Sequence, residues 1–111
     1  GDICLKHKVI VVADEIHADF VYQGHQHQVF ANLKTDYQEI TVTCTAPSKT
    51  FNIAGLQVSN IFIANENLRK KFKQELKKTA NADINVMGLI ACQAVYSQGE
   101  DWLRQVNIYI A

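Results

Sequence analysis

Proline is nearly missing from this sequence: Pro47 stands alone, and only five glycines occur in 111 residues. That excludes collagen-like repeats and the Pro- and Gly-rich composition of a low-complexity chain. Cysteine is sparse as well. Cys4, Cys44 and Cys92 are widely spaced and odd in number, poor material for a disulfide framework, and they fit a reducing, cytoplasmic setting. No charge of one sign dominates, because eleven basic residues balance eleven acidic ones. No global field therefore recruits nucleic acid or an acidic membrane. The longest apolar run falls far short of a bilayer span, and the expectation is that no signal peptide is present. GxGxxG and Walker patterns do not occur, so a nucleotide site lacks support. His25 and His27 would share one face of a strand, but no partners with zinc-ligand spacing accompany them. Both read as loop surface, and no metal is expected.

What is present is ordinary globular material, 48% hydrophobic and 20% charged, enough for one compact domain. Val9 to Ala13 is an unbroken, mostly β-branched run that stops at Asp14-Glu15. An unbroken run predicts a strand buried on both faces, as in a parallel sheet. Residues 18 to 38 read as loop with a short turn of helix. A second strand is expected over Ile40 to Cys44, ended by Pro47, with a loop from Ala46 to Asn52. A third is expected from Val58 to Ala64. Leu68, Phe72 and Leu76 then fall four apart, which predicts an amphipathic helix with Asn65 as N-cap and the basic residues 69 to 78 on its solvated side. A helix near residues 84 to 97 is apolar nearly all round and should be deeply covered. Gly99 ends it, and Trp102, Leu103, Val106 and Ile110 mark a last amphipathic helix. Residues 2 to 7 read as the last turns of a helix, and residues 106 to 111 end without a C-cap signal. Both ends are thus expected to be interior to a larger domain.

In open parallel sheets, ligands bind beyond the carboxyl ends of the strands. Two polar groups are delivered there: Asp14 directly after the first strand, and Lys49 in the loop after the second. An acid and a lysine at one strand edge suit pyridoxal-phosphate (PLP) chemistry. The lysine amine forms an imine with the cofactor aldehyde, and the acid faces the pyridine nitrogen and keeps it protonated. A unit charge pair about 4 Å apart is worth roughly 4 kcal/mol at an effective dielectric of about 20, and desolvation offsets part of that. By spacing alone, the same two residues also describe a surface lysine and a strand-end acid.

The surrounding sequence goes further. Val11-Val12-Ala13-Asp14-Glu15-Ile16-His17-Ala18-Asp19 and Thr45-Ala46-Pro47-Ser48-Lys49-Thr50-Phe51-Asn52-Ile53-Ala54-Gly55-Leu56-Gln57 closely resemble fold-type I PLP enzymes of the aminotransferase class I/II superfamily. Within it they look like the cystathionine β-lyase, or C–S lyase, group of the MalY/PatB type. The resemblance covers essentially the whole chain, including Asn60-Ile61-Phe62-Ile63 and Gly99-Glu100-Asp101-Trp102-Leu103. It implies an α/β fold: part of an aspartate aminotransferase-like large domain, a mostly parallel sheet with flanking helices. Residues 1–111 would be a partial PLP-binding domain, without the upstream phosphate loop or the C-terminal small domain.

The resemblance also implies roles. Lys49 matches the Schiff-base lysine and Asp14 the partner of the pyridine nitrogen. Ser48 lies where a hydroxyl reaches the cofactor phosphate, and His17 takes the position where aspartate aminotransferases place a tyrosine near the ring hydroxyl. Those enzymes carry a phosphate-binding arginine eight residues after the lysine. Gln57 stands there in this chain, a neutral group that cannot replace a bidentate charge, which suits the lyase group better. The implied reaction is β-elimination from cystathionine or a cysteine conjugate, giving pyruvate, ammonia and a thiol, in a cytoplasmic homodimer. The 111 residues alone are expected to turn over little or no substrate. Transamination at the same site, or a truncated domain without chemistry, are the other readings.

Overall fold

The computed structural model describes residues 1–79 and 83–111. They fall into two units: Gly1–Glu15, Gln28–Cys44 and Ile61–Asp83 form the first, and Ile16–His27, Thr45–Asn60 and Ile84–Ala111 the second.

The first unit is organised by its sheet. β1 (Val11–Asp14) and β2 (Thr41–Thr45) run parallel with Val11 opposite Thr41 and Asp14 opposite Cys44, and β3 (Asn60–Phe62) adjoins β2 on its other side. The parallel pairing of β1 and β2 is what the sequence reading of a parallel sheet expects. β2 is central, and Thr41, Val42 and Thr43 are all buried. The Thr41 hydroxyl donates to the Tyr37 carbonyl at 2.6 Å, so burying it leaves no donor unmet. β1 corrects the sequence reading. Its residues alternate between half-buried and exposed, and Val12 is 67% exposed. The strand lies at the edge of the sheet, and this unit covers only the face carrying Val11 and Ala13.

α1 (Asp2–Lys6) precedes β1, and two 3-10 turns at Phe30–Asn32 and Thr35–Ile40 precede β2. The Phe30 and Tyr37 rings stack at 5.2 Å, and the Phe30 amide donates to Glu15 Oε1 at 3.0 Å. α3 (Glu66–Leu76) starts where expected, because Asn65 Oδ1 accepts from the Leu68 amide at 2.9 Å. The same Asn65 donates from Nδ2 to Glu39 Oε2 at 2.8 Å, which ties the cap to the turn before β2. Arg69 departs from the solvated-face reading. Its Nη1 donates to the Ile63 and Ala64 carbonyls at 2.6 and 2.9 Å, satisfying acceptors that the short β3 leaves open.

In the second unit, α2 (Pro47–Thr50) replaces the expected loop with one helical turn. Ala46 is extended at φ −155°, ψ 141°, as a residue before proline tends to be, and Pro47 opens the turn at its first position, where no N–H is needed. A 3-10 turn, Ala54–Leu56, ends on Gln57 in the left-handed region at φ 51°, ψ 49°. α4 (Val86–Gln98) and α5 (Glu100–Ile110) share Gly99 as their boundary. α4 is not deeply covered. Gly88 is its one buried residue, while Val86, Met87, Leu89 and Ile90 are 55–70% exposed. Uniform hydrophobicity predicted cover on every side, but α2, the 3-10 turn and α5 reach only part of its circumference. Among the described residues no helix is long and apolar enough to cross a membrane.

Candidate functional site around Lys49

The proposed site residues lie on β1, on α2 and in the turn after β1. Asp14 is the last residue of β1 and is exposed. Its strand partner Cys44 is half-buried, and the Glu15 amide donates to the Cys44 carbonyl at 2.8 Å, extending the ladder one step past the strand. Burial, and after it the negative charge of Asp14, pushes the Cys44 thiol above its ordinary value. The end of β1 therefore sets the Asp14 carboxylate beside a thiol whose protonated form is favoured.

Lys49 belongs to the second unit, on α2. Residues three apart share one side of a helical turn, and here Pro47 and Thr50 are both buried. Ser48 is half-buried and Lys49 is exposed. The turn thus has a pinned side and an open side, with the amine on the open one. Its backbone is closed by the Phe51 amide donating to the Pro47 carbonyl at 2.9 Å and the Ile53 amide to the Ser48 carbonyl at 3.1 Å. Asn52 takes φ 54°, a left-handed conformation that asparagine adopts more readily than most residues, and this lets the chain turn away after α2.

The pinned side is held by hydrogen bonds that meet at Thr50. The Thr50 side chain is 1% exposed, and its hydroxyl donates to Asp19 Oδ2 at 2.7 Å. Its carbonyl accepts from Trp102 Nε1 at 2.9 Å. Asp19 in turn accepts at its own carbonyl from Asn107 Nδ2 at 3.0 Å. Sequence reading missed these four residues as a set. Asp19, Thr50 and Trp102 all lie within the resembling segments, but only contact across 31 and 52 residues of chain shows that they meet.

His17 lies in the turn after β1. It is exposed, its ring is 5.9 Å from that of Phe20, and its carbonyl accepts the Phe20 amide at 3.1 Å. Gln57, standing where an arginine was looked for, is exposed and left-handed. Tyr96 on α4 packs edge-on against Phe51 at 5.9 Å, and burial raises its phenol above the ordinary value. Among the described residues no group of three or more His, Cys, Asp or Glu could hold a metal ion.

The family model described as aminotransferase class I and II matches residues 1–104. The chain belongs to that family. Among curated proteins, it is 47% identical over 110 residues to cystathionine beta-lyase PatB of Bacillus subtilis, covering 99% of this chain and 28% of that protein. It is 38% identical over 104 residues to the cystathionine beta-lyase of Corynebacterium glutamicum, covering 94% of this chain and again 28% of the relative. The structure of cystalysin from Treponema denticola, which contains a pyridoxal 5'-phosphate cofactor, superposes with a TM-score of 0.91 at 38% identity. That match covers 96% of this chain and 27% of cystalysin. The α/β fold expected from the sequence is therefore the fold of this family. The chain spans little more than a quarter of the length of these relatives.

Proposed function

We propose that this chain carries the cofactor-lysine segment of a PLP-dependent carbon–sulfur lyase acting on cystathionine or a related sulfur-containing amino acid. The observation that carries the reading is α2: a single turn, pinned by Pro47 and Thr50, that holds Lys49 out on its open side. The family match and the two cystathionine beta-lyase relatives support the choice of chemistry.

The residues fit the group. Lys49 offers an accessible primary amine on a fixed backbone, which a covalent bond to an aldehyde carbon requires. Asp14 offers an acceptor-only carboxylate at the end of β1, suited to a protonated ring nitrogen. Ser48, one residue before Lys49, would donate its hydroxyl to a phosphate oxygen, and His17 would lie near the ring hydroxyl. When bound, PLP supplies the electron sink that makes the substrate Cα–H acidic. Lys49 would hold the group through Nζ, and once free of it the same Nζ would serve as the general base for the substrate Cα proton. Asp14 would keep a proton on the ring nitrogen by charge pairing, with Cys44 beside it favouring its neutral form. The Lys49 ammonium so formed would be able to protonate the departing thiolate, and one water would be consumed in converting the remaining three-carbon fragment to pyruvate and ammonia.

Residues 1–111 would form part of the large domain, with the phosphate loop and the small domain elsewhere in a longer, homodimeric, cytoplasmic protein. On that reading the 111 residues alone turn over little or no substrate.

The test is to add PLP, reduce with borohydride, and map the modified peptide. One adduct per chain, confined to Lys49 and lost in Lys49→Arg, is expected. Label scattered over the lysines of α3 would refute the assignment. Product analysis then distinguishes elimination, which gives pyruvate and thiol, from transfer of the amino group to an added keto acid.

A further inference from the structure

A helix of one turn is not stable by itself, because the first hydrogen bond costs the ordering of several residues. α2 holds its shape through tertiary anchors, and three converge on the residue next to Lys49. The Thr50 hydroxyl donates to Asp19 Oδ2 at 2.7 Å, the Thr50 carbonyl accepts from Trp102 Nε1 at 2.9 Å, and the side chain is 1% exposed. The anchors are themselves linked. Trp102 and Asn107 both lie on α5, and Asn107 Nδ2 donates to the Asp19 carbonyl at 3.0 Å. α5 thus grips the turn that carries Asp19 and the turn that carries Thr50 from one rigid element.

The chemistry of the pair is directional. A carboxylate only accepts, so the Thr50 hydroxyl must donate, and the threonine rotamer is set by Asp19. A buried hydroxyl facing a carboxylate makes a charge-assisted bond, stronger than one between neutral groups. Because Thr50 is β-branched, fixing its χ1 also restricts the backbone that positions the Lys49 Cα.

We propose that Asp19 and Thr50, with Trp102 as second anchor, are positioning residues for Lys49: they hold the α2 backbone so that Nζ meets the cofactor aldehyde in one orientation. The inference rests on the reading of Lys49 as the cofactor lysine. Its consequence is kinetic. The pair acts on how fast and how selectively the amine at position 49 captures an aldehyde, without touching cofactor or substrate.

The test uses the protein at its full natural length, stripped of cofactor, with PLP as the probe. The rate of borohydride-trappable adduct at Lys49 and the hydrogen exchange of the Phe51 and Ile53 amides are followed together. Thr50→Val keeps the shape and removes the donor. It should slow capture at Lys49 about tenfold and speed exchange at both amides, whereas Thr50→Ser should remain within about twofold of the parent. Asp19→Asn, which keeps the size and loses the charge, should fall between them and serves if Thr50→Val does not fold. Parent-like capture and parent-like exchange in Thr50→Val, or in Asp19→Asn where that variant stands in, would overturn the proposal. So would equal losses in Thr50→Val and Thr50→Ser, which would mean that packing matters and the hydroxyl does not. A parent protein that forms no adduct at Lys49 would refute the cofactor reading and this proposal with it. That result differs from failure of the positioning pair alone, in which the parent labels at Lys49 and the variants label as fast.

Discussion

Lys49 and Thr50 are neighbours in opposite surroundings, one exposed and one sealed among Asp19 and Trp102. The contrast lets one residue react while the next keeps it in place. In the protein at its full natural length, losing the Lys49 amine should therefore remove the adduct and cut turnover at least about a hundredfold, the usual scale for a missing general base. Lys49→Arg in the peptide-mapping and product assays measures both. Cys44 makes a separate prediction. Its thiol is shifted upward, first by burial and then by Asp14, so the folded protein favours the protonated form. A group with a raised folded pKa contributes stability below its unfolded value and loses it as pH rises through the folded one. The pH midpoint for alkylation of Cys44 should lie above 9.0, and Cys44→Ser should flatten the alkaline fall in stability. A midpoint at or below 9.0, read by mass spectrometry of the labelled peptide, would contradict the burial seen here.

At the scale of elements, α3 and α4 show where local rules carry and where they stop. Both are capped by asparagine: Asn65 on the Leu68 amide, as the sequence predicts, and Asn85 on the Gly88 amide at 2.6 Å, a cap that only the structure shows. Asn85 also donates to the Leu56 carbonyl at 2.7 Å, which fastens α4 to the turn following α2. Gly88 is the point of closest approach, since a Cβ there would lie 2.8 Å from the Leu56 carbonyl oxygen. Helix propensity alone says that Gly88→Ala gains up to ~1 kcal/mol. The contact reverses the sign, because both obstructing groups, a backbone carbonyl and a cap side chain, are held by hydrogen bonds. Gly88→Ala should destabilise by about 1 kcal/mol or more in urea unfolding. α2 was expected as loop because four residues give no readable period. Pro47 and the buried Thr50 make it a turn only through what they pack against.

At the scale of the molecule, a good deal of apolar surface is open. Val12 and Phe62 on the strands and Val86, Met87, Leu89 and Ile90 on α4 are each 55% or more exposed. Apolar side chains left this exposed normally belong to an interface or a covered core. The 111-residue chain is expected to bind a hydrophobic dye several-fold more strongly, per residue, than a full-length relative such as the Bacillus subtilis lyase. Equal dye binding would show that these residues stay open in the longer proteins as well.

The sequence by itself determined the family, the parallel α/β arrangement, the capped α3 and the placement of Asp14 and Lys49 after successive parallel strands. Those features are written in contiguous residues: two long motifs, a four-residue apolar spacing, a cap before it. The tertiary structure decided the rest. It alone showed β1 exposed on one face, α4 only partly covered, Arg69 closing the end of β3, and Asp19, Thr50, Trp102 and Asn107 joined behind Lys49. The physical reason is that burial and hydrogen bonding depend on what arrives from far along the chain. A run of Val and Ile reports its own hydrophobicity and not its neighbours, and a threonine beside a lysine does not reveal that an aspartate 31 residues earlier accepts its proton.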